Sequence, residues 1–213
     1  MLSAEELNRS YFRTAYGTGV HGWQSTEASP YIVERLRVVA QAAPGGRLLD
    51  LGCGEGRHCI LAAEMGFTVT GVDYEPLAIG RALGNVRRAG REDKVRFAVA
   101  DIFALPFRAG SFDVLLDFGC LHHQKKSDWV RYLAMVRTVL RPGGWFLLTT
   151  FSTHFGAFGP QKRRWHLARG AYRRFFTADD IRRLLEEDLD LVSMNEEREG
   201  PRGLWHVLMR RKA

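Results

Sequence analysis

Residues 48–58, Leu-Leu-Asp-Leu-Gly-Cys-Gly-Glu-Gly-Arg-His, constrain this chain more than any other stretch. An apolar run enters a turn with glycine at positions 52, 54 and 56, and a helical pattern follows. Glycine has no Cβ, so the backbone can turn sharply there and a ligand can come within van der Waals distance of it. Strand, glycine turn and helix in that order open an α/β sheet. Asp50 stands at the end of the strand as an acceptor for a cation. A dinucleotide fingerprint would read Gly-x-Gly-x-x-Gly and aim backbone amides and a helix N-terminus at a pyrophosphate. The spacing here is Gly-x-Gly-x-Gly with no clear phosphate partner, which suits a nucleoside ligand carrying an ammonium group and no phosphate.

The segments that follow supply partners for such a ligand. A second apolar strand over 68–72 ends in Asp73-Tyr74, where a carboxylate accepts two ribose hydroxyls and an aromatic covers an adenine face. A third strand over 95–99 leads to Asp101-Ile102-Phe103, a carboxylate for an exocyclic amine next to a backbone N–H for a ring nitrogen. A fourth strand spans 112–118 and includes Asp117 and Phe118. A turn with the sequence Leu-Arg-Pro-Gly-Gly at 140–144 follows a helix, and 145–150 is a fifth strand.

Five motifs in this order resemble the class I S-adenosylmethionine-dependent methyltransferases, over roughly residues 45–150 and more weakly to the C-terminus. The resemblance implies a doubly wound, Rossmann-like α/β fold: a seven-stranded, mostly parallel sheet with the last strand antiparallel and helices on both faces. It implies S-adenosyl-L-methionine as cofactor and S-adenosyl-L-homocysteine as product. Asp50, Gly52, Cys53 and Gly54 then hold the methionine end, and Asp73 holds the ribose. Tyr74 covers the adenine, Asp101 and Ile102 receive its edge, and Asp117 with backbone near Phe118 receives the amino group. The run Gly-Glu-Gly-Arg is similar to that of tellurite-resistance and thiopurine methyltransferases, which places Arg57 on the methionine carboxylate. A surface arginine in the first helical turn is the other reading.

Composition narrows the class. With 213 residues and 46% hydrophobic content, one well-packed domain is expected. No apolar run reaches the ~20 residues that cross a bilayer. Acids near the N-terminus argue against a signal peptide, so a cytoplasmic location is expected. Cys53, Cys59 and Cys120 form neither a Cys-x-x-Cys pair nor a disulfide framework, and no metal is expected. The net charge of +7 is uneven: 162–174 holds six Lys and Arg and no acid. Arginines interleaved with Trp165, Tyr172 and Phe175 suit nucleic acid. They equally suit a solvated insert, which is the favoured reading, or recruitment of a small anionic substrate.

The periodicity predicts helices over 3–16, 30–42, 57–65, 75–89 and 127–140, with Leu7, Tyr11 and Phe12 sharing one face of the first. Residues 151–175 show no clear periodicity. A capping-box start at Thr177 opens a last helix, and a terminal antiparallel strand pair closes the chain. The chain therefore divides into a helical cap at 1–43, a cofactor core at 44–150, a lid insert at 151–176 and a C-terminal helix with two strands at 177–213.

Methyl transfer needs alignment more than acid–base chemistry, so the substrate side is less explicit. His122 and His123, after the fourth strand, are candidate general bases, but a loop-stabilising pair is the favoured reading. Tyr11, Tyr16, Trp23, Trp165 and Tyr172 are expected to form the substrate lid. The leading expectation is methyl transfer to a small organic acceptor by in-line displacement, in a monomer or homodimer with no membrane partner. Rivals are an RNA methyltransferase using the basic insert, a nicotinamide-dependent oxidoreductase and a non-catalytic S-adenosylmethionine-binding protein.

Overall fold

The computed structural model describes residues 3–23, 27–156, 165–168, 170–198 and 203–213; the side chains of Ala4 and of 165–168 lie outside that description. Ala4–Thr18 forms α1, opened by a reciprocal cap between Ser3 and Glu6. Pro30–Ala42 forms α2, with proline at its first turn; Ser29 takes the N-cap place but makes no side-chain hydrogen bond. The core then alternates: β1 (Arg47–Leu51), α3 (Arg57–Glu64), β2 (Thr68–Asp73), α4 (Pro76–Arg88), β3 (Val95–Val99), β4 (Phe112–Phe118), α5 (Trp129–Val139) and β5 (Leu140–Phe151). A hairpin of β6 (Trp165–Ala168) and β7 (Ala171–Arg174) follows, then α6 (Ala178–Leu185), β8 (Leu189–Glu197) and β9 (Leu204–Arg211).

The main sheet has seven strands in the order β3-β2-β1-β4-β5-β9-β8. β1 to β5 pair in parallel, and β9 runs antiparallel to both β5 and β8. Parallel strands need crossovers, and these cover both faces. Alternating side chains show it. Leu48, Val114, Leu116, Leu147 and Leu208 pack with α2, α3 and α4, whereas Leu49, Leu115, Phe146, Leu148 and Val207 pack with α5 and α6. Thr177 and Asp180 cap α6 reciprocally, as the sequence pattern predicts.

Three expectations need correction. Residues 140–144 are not a free turn: β5 begins at Leu140, and a register shift against β4 between Phe112 and Val114 absorbs the Pro-Gly-Gly. Within 151–175, residues 165–168 and 171–174 pair as a hairpin separate from the main sheet. Its alternation is only four residues per strand, too short to register as a period in sequence. Phe12 does not share a face with Leu7 and Tyr11, because at 100° per residue its side chain turns inward while theirs border an open groove of about 780 Å³.

Candidate functional site

The strand order reverses between β1 and β4, and the loops after β1, β2 and β4 meet at the carboxyl edge there. Gly52, Gly54 and Gly56 all have positive φ, at 63°, 55° and 81°. Gly54 shows why no side chain is tolerated: a Cβ would lie 2.8 Å from the Tyr16 hydroxyl oxygen. The loop is bolted to the end of β2. The Cys53 N–H donates to the Val72 carbonyl at 2.9 Å, and the Gly54 N–H donates to Asp73 Oδ2 at 3.0 Å. Asp73 Oδ1 accepts from the Glu75 N–H at 2.9 Å, which fixes the carboxylate at the strand tip.

Three carboxylates are buried around this loop. Asp50 is 2% exposed, and burial pushes its pKa up to about 7, with the charges of Asp117 and Asp73 adding to the rise and the Cys59 thiol, 3.2 Å away, opposing it. Burial pushes Asp73 up to about 6 against the hydrogen bonds from Glu75 and Gly54. Asp117 also rises to about 6 through burial. Clustered buried acids are costly; the Arg57 charge offsets part of that cost at Asp50, and a ligand that brings positive charge lowers it further. Asp117 itself has no face toward a ligand. It is 0% exposed, and its oxygens accept from the N–H groups of Cys120 and Leu121 and from the Tyr132 hydroxyl at 2.7, 2.9 and 2.5 Å. It shapes the turn that presents the backbone after Phe118.

α1 forms a wall over this edge. Arg9 donates to Asp101 Oδ2 at 2.6 Å, while Asp101 Oδ1 accepts the Phe103 N–H at 2.9 Å. Ile102, buried, begins the short turn behind that carboxylate. The Arg9 guanidinium lies 5.0 Å from the Tyr74 ring, and Phe12 meets the same ring edge-on at 6.1 Å. The Tyr74 hydroxyl is buried and has no hydrogen-bond partner among the described residues. A buried orphan donor of this kind is an unfilled bond for a ligand. Tyr16 is buried against the glycine loop, its hydroxyl accepting from Trp23 Nε1 at 3.2 Å. Arg57 reaches the Trp23 carbonyl at 3.5 Å and stands 5.2 Å from the Phe118 ring, so it faces the loop and not bulk water.

His122 and His123 differ. His122 stacks on Phe151 at 3.6 Å and is 4% exposed; burial holds its pKa well below the usual range. That is packing. His123 Nδ1 lies 2.5 Å from the Tyr172 carbonyl, so that nitrogen carries the proton and Nε2 is the acceptor. Burial lowers its pKa to about 4, with the Arg173 charge adding to the effect.

The lid residues separate by element. Tyr16 and Trp23 join the glycine loop, Tyr11 joins Arg173 of the hairpin, and Tyr172 contributes its backbone at both ends: its carbonyl meets His123, and its N–H donates to Asn8 Oδ1 at 3.1 Å. The side chain of Trp165, with Arg163, Arg164 and Arg169, lies outside the described residues. Sequence reading passed over Arg9 and His21 and set Phe12 on another face. Arg9, Phe12 and Tyr16 at spacings of three and four form one helix face, and that stripe was the available signal. His21 stacks on Trp23 at 4.5 Å, and its Nε2 lies 3.5 Å from a Glu55 carboxylate oxygen.

The fold is a Rossmann-like α/β domain with a glycine loop and buried carboxylates at the carboxyl edge of its sheet. Residues 48–144 match the family profile described as a methyltransferase domain, and the chain carries a class I S-adenosylmethionine-dependent methyltransferase domain. It is 35% identical over 126 residues to 27-O-demethylrifamycin SV methyltransferase of Amycolatopsis mediterranei (strain S699), covering 59% of this chain and 46% of that protein. It is 34% identical over 107 residues to norajmaline N-methyltransferase of Rauvolfia serpentina, covering 49% and 36%. The chain thus spans less than half the length of these curated relatives. A solved structure of Burkholderia thailandensis 1,6-didemethyltoxoflavin-N1-methyltransferase, with 1,6-didemethyltoxoflavin and S-adenosylhomocysteine bound, superposes with a TM-score of 0.79 at 25% identity, over 100% of this chain and 92% of that one.

Proposed function

We propose that this protein transfers a methyl group from S-adenosylmethionine to a small organic acceptor. The observation that carries the reading is the pair of buried carboxylates, Asp50 and Asp73, whose pKa values burial raises, against a glycine loop where a Cβ at Gly54 would meet the Tyr16 hydroxyl. Such a place favours a ligand with an ammonium and a sulfonium and disfavours a pyrophosphate. When bound, the cofactor supplies a methyl group already activated on sulfur. The chain's share is to hold and to exclude. Asp50 and the loop of Gly52, Cys53 and Gly54 receive the methionine end, with Arg57 at its carboxylate. Asp73 receives the ribose, and Asp101 with Ile102 receives the base. Backbone after Phe118 takes the amino group. Phe12, Tyr16, Trp23, Tyr74 and Phe151 line a dry aromatic wall, which aligns a planar acceptor and keeps water from the reacting atoms. His123, neutral and with Nε2 as its acceptor end, is the proton acceptor for an O–H or N–H nucleophile.

A small acceptor fits better than RNA because the described part of the basic insert is not a phosphate surface. Arg173 and Arg174 are each 6% exposed; Arg174 packs 4.1 Å from the Trp129 ring and 3.6 Å from Asp180. The small-molecule acceptors named for the relatives agree with this. The test is a thermal-shift and calorimetric comparison of S-adenosylhomocysteine, NAD and ATP. S-adenosylhomocysteine at 100 times its dissociation constant should stabilise the protein by about 2.7 kcal/mol. Stabilisation by NAD alone would sink the assignment.

A further inference from the structure

The Tyr74 hydroxyl oxygen is buried and unpaired among the described residues, although the ring that carries it is held on two sides. Tyr74 follows Asp73, the last residue of β2, so it leaves the strand tip where the ribose is placed. α1 packs on the ring: the Arg9 guanidinium lies 5.0 Å from its centre, and Phe12 meets it edge-on at 6.1 Å. Phe12 also meets the His123 imidazole edge-on at 4.9 Å, so one aromatic ring separates Tyr74 from the proposed proton acceptor. Burial raises the Tyr74 pKa, with Asp73 and Cys120 adding to the rise and Arg9 opposing it, so the phenol stays protonated. Cys120 belongs to the turn after β4. Its N–H donates to Asp117 at 2.7 Å, and its side chain packs beside the glycine loop, where a Cβ on Gly52 would stand 3.3 Å from Cys120 Cβ. The hydroxyl thus sits between the tip of β2 and the turn after β4, next to the loop that follows β1.

The order of these neighbours matches the covalent order of the cofactor. Asp73 is placed at the ribose and the backbone after Phe118 at the amino group; in S-adenosylmethionine the sulfur lies between those two parts. A hydroxyl offers lone pairs to a positive centre, whereas a phenyl ring in its place offers none. Left unpaired, the same oxygen costs stability in the free protein, and a ligand partner recovers that cost. Phe12 and Arg9 also keep it out of water, so a charge that meets it there is weakly screened. We propose that the Tyr74 hydroxyl positions the sulfur centre of the cofactor: its oxygen faces the sulfonium, so the charged methyl donor binds more tightly than the neutral product. This role differs from stacking, because a ring over the adenine holds donor and product equally. The assignment rests on the methyl-transfer reading of the same pocket.

Three ligands that differ at the sulfur position test it by calorimetry. S-adenosylmethionine carries the methylated, charged sulfur and S-adenosylhomocysteine the neutral one. In sinefungin an amine-bearing carbon, charged at neutral pH, takes that place. Tyr74→Phe keeps the ring against Phe12 and Arg9 and removes only the oxygen. It should weaken sinefungin, whose ammonium is a full hydrogen-bond donor, by about tenfold and S-adenosylmethionine by about fivefold. Affinity for S-adenosylhomocysteine should stay unchanged. The Tm of the ligand-free variant should not fall, because the oxygen it loses was unpaired. Equal losses for all three ligands, no loss for the two charged ones, or a fall in the ligand-free Tm would each overturn the assignment. S-adenosylhomocysteine binding to the wild type, measured first, separates the two layers: no binding defeats the methyltransferase reading itself, whereas normal binding with a charge preference that survives Tyr74→Phe defeats the role of Tyr74 alone.

Discussion

The two halves of the pocket are built in different ways. The cofactor half comes from three consecutive strand ends, and its parts are short-range: Asp73 holds the Gly54 and Glu75 N–H groups, and Asp117 holds those of Cys120 and Leu121. The half proposed for the acceptor is assembled from distant pieces, Arg173 with Tyr11 and Tyr172 with Asn8 at separations of 162 and 164 residues, and the same helix reaches the cofactor side where Arg9 pairs with Asp101, 92 residues on. The first half is rigid because each carboxylate is locked by neighbouring backbone. The second is a docking of one helix and one hairpin onto that frame. On the proposed reading, cofactor geometry is set by strand order, and acceptor choice by elements that can change without disturbing the sheet.

Gly54→Val attacks the rigid half most severely. The φ of 55° is unfavourable to a β-branched residue, and the first added carbon would meet Tyr16 at 2.8 Å. S-adenosylhomocysteine affinity should fall by about 100-fold or more, with α1 displaced, as read by calorimetry and by Trp23 fluorescence. Near-normal affinity would show that the loop is not the hard frame described above.

Asp50→Asn should separate function from stability. The folded-state pKa of Asp50 is raised to about 7 from 3.8, so folding is favoured when the group is protonated. That contribution is full below pH ~4 and is lost as pH rises toward 7. Asparagine carries no such loss. In the ligand-free protein the variant's advantage in unfolding free energy should therefore grow from pH 4 to 7 and then level, reaching on the order of a few kcal/mol, with Tm rising in step. Its S-adenosylhomocysteine affinity should fall. A pH-independent difference in Tm would remove Asp50 from the set of strained acids.

Arg9→Ala probes the docked half and should have the smallest effect. The pair with Asp101 is 40% and 37% exposed, so its contribution to stability is about 0–1 kcal/mol. Because Arg9 engages the carboxylate proposed for the base, its removal should change S-adenosylhomocysteine affinity by about threefold or less while speeding exchange. A loss of tenfold or more would make Arg9 part of the binding surface and not a latch on it.

The sheet and its glycine loop were legible because their signals are local. Apolar runs of parallel strands, the capping box at Thr177, and glycines at 52, 54 and 56 act over a few residues each. The acids at 50, 73 and 101 could be placed from strand ends alone, since strand order brings those ends together. Asp117 was read as a ligand group, and only the folded turn shows its oxygens spent on Cys120, Leu121 and Tyr132. Arg173 and Arg174 were indistinguishable members of one basic run. Which of them meets an aspartate and which meets a phenol depends on the face each leaves a four-residue strand, and on what lies across from it. By itself, then, the sequence determined the α/β order and the glycine loop, which follow from residue-to-residue rules of turn, period and cap, and, through the order of its motifs, the methyltransferase class. Tertiary structure decided the burial that lifts the pKa of Asp50, the inward face of α1 and the address of each arginine, because burial and charge are properties of neighbours in space and not of neighbours in the chain.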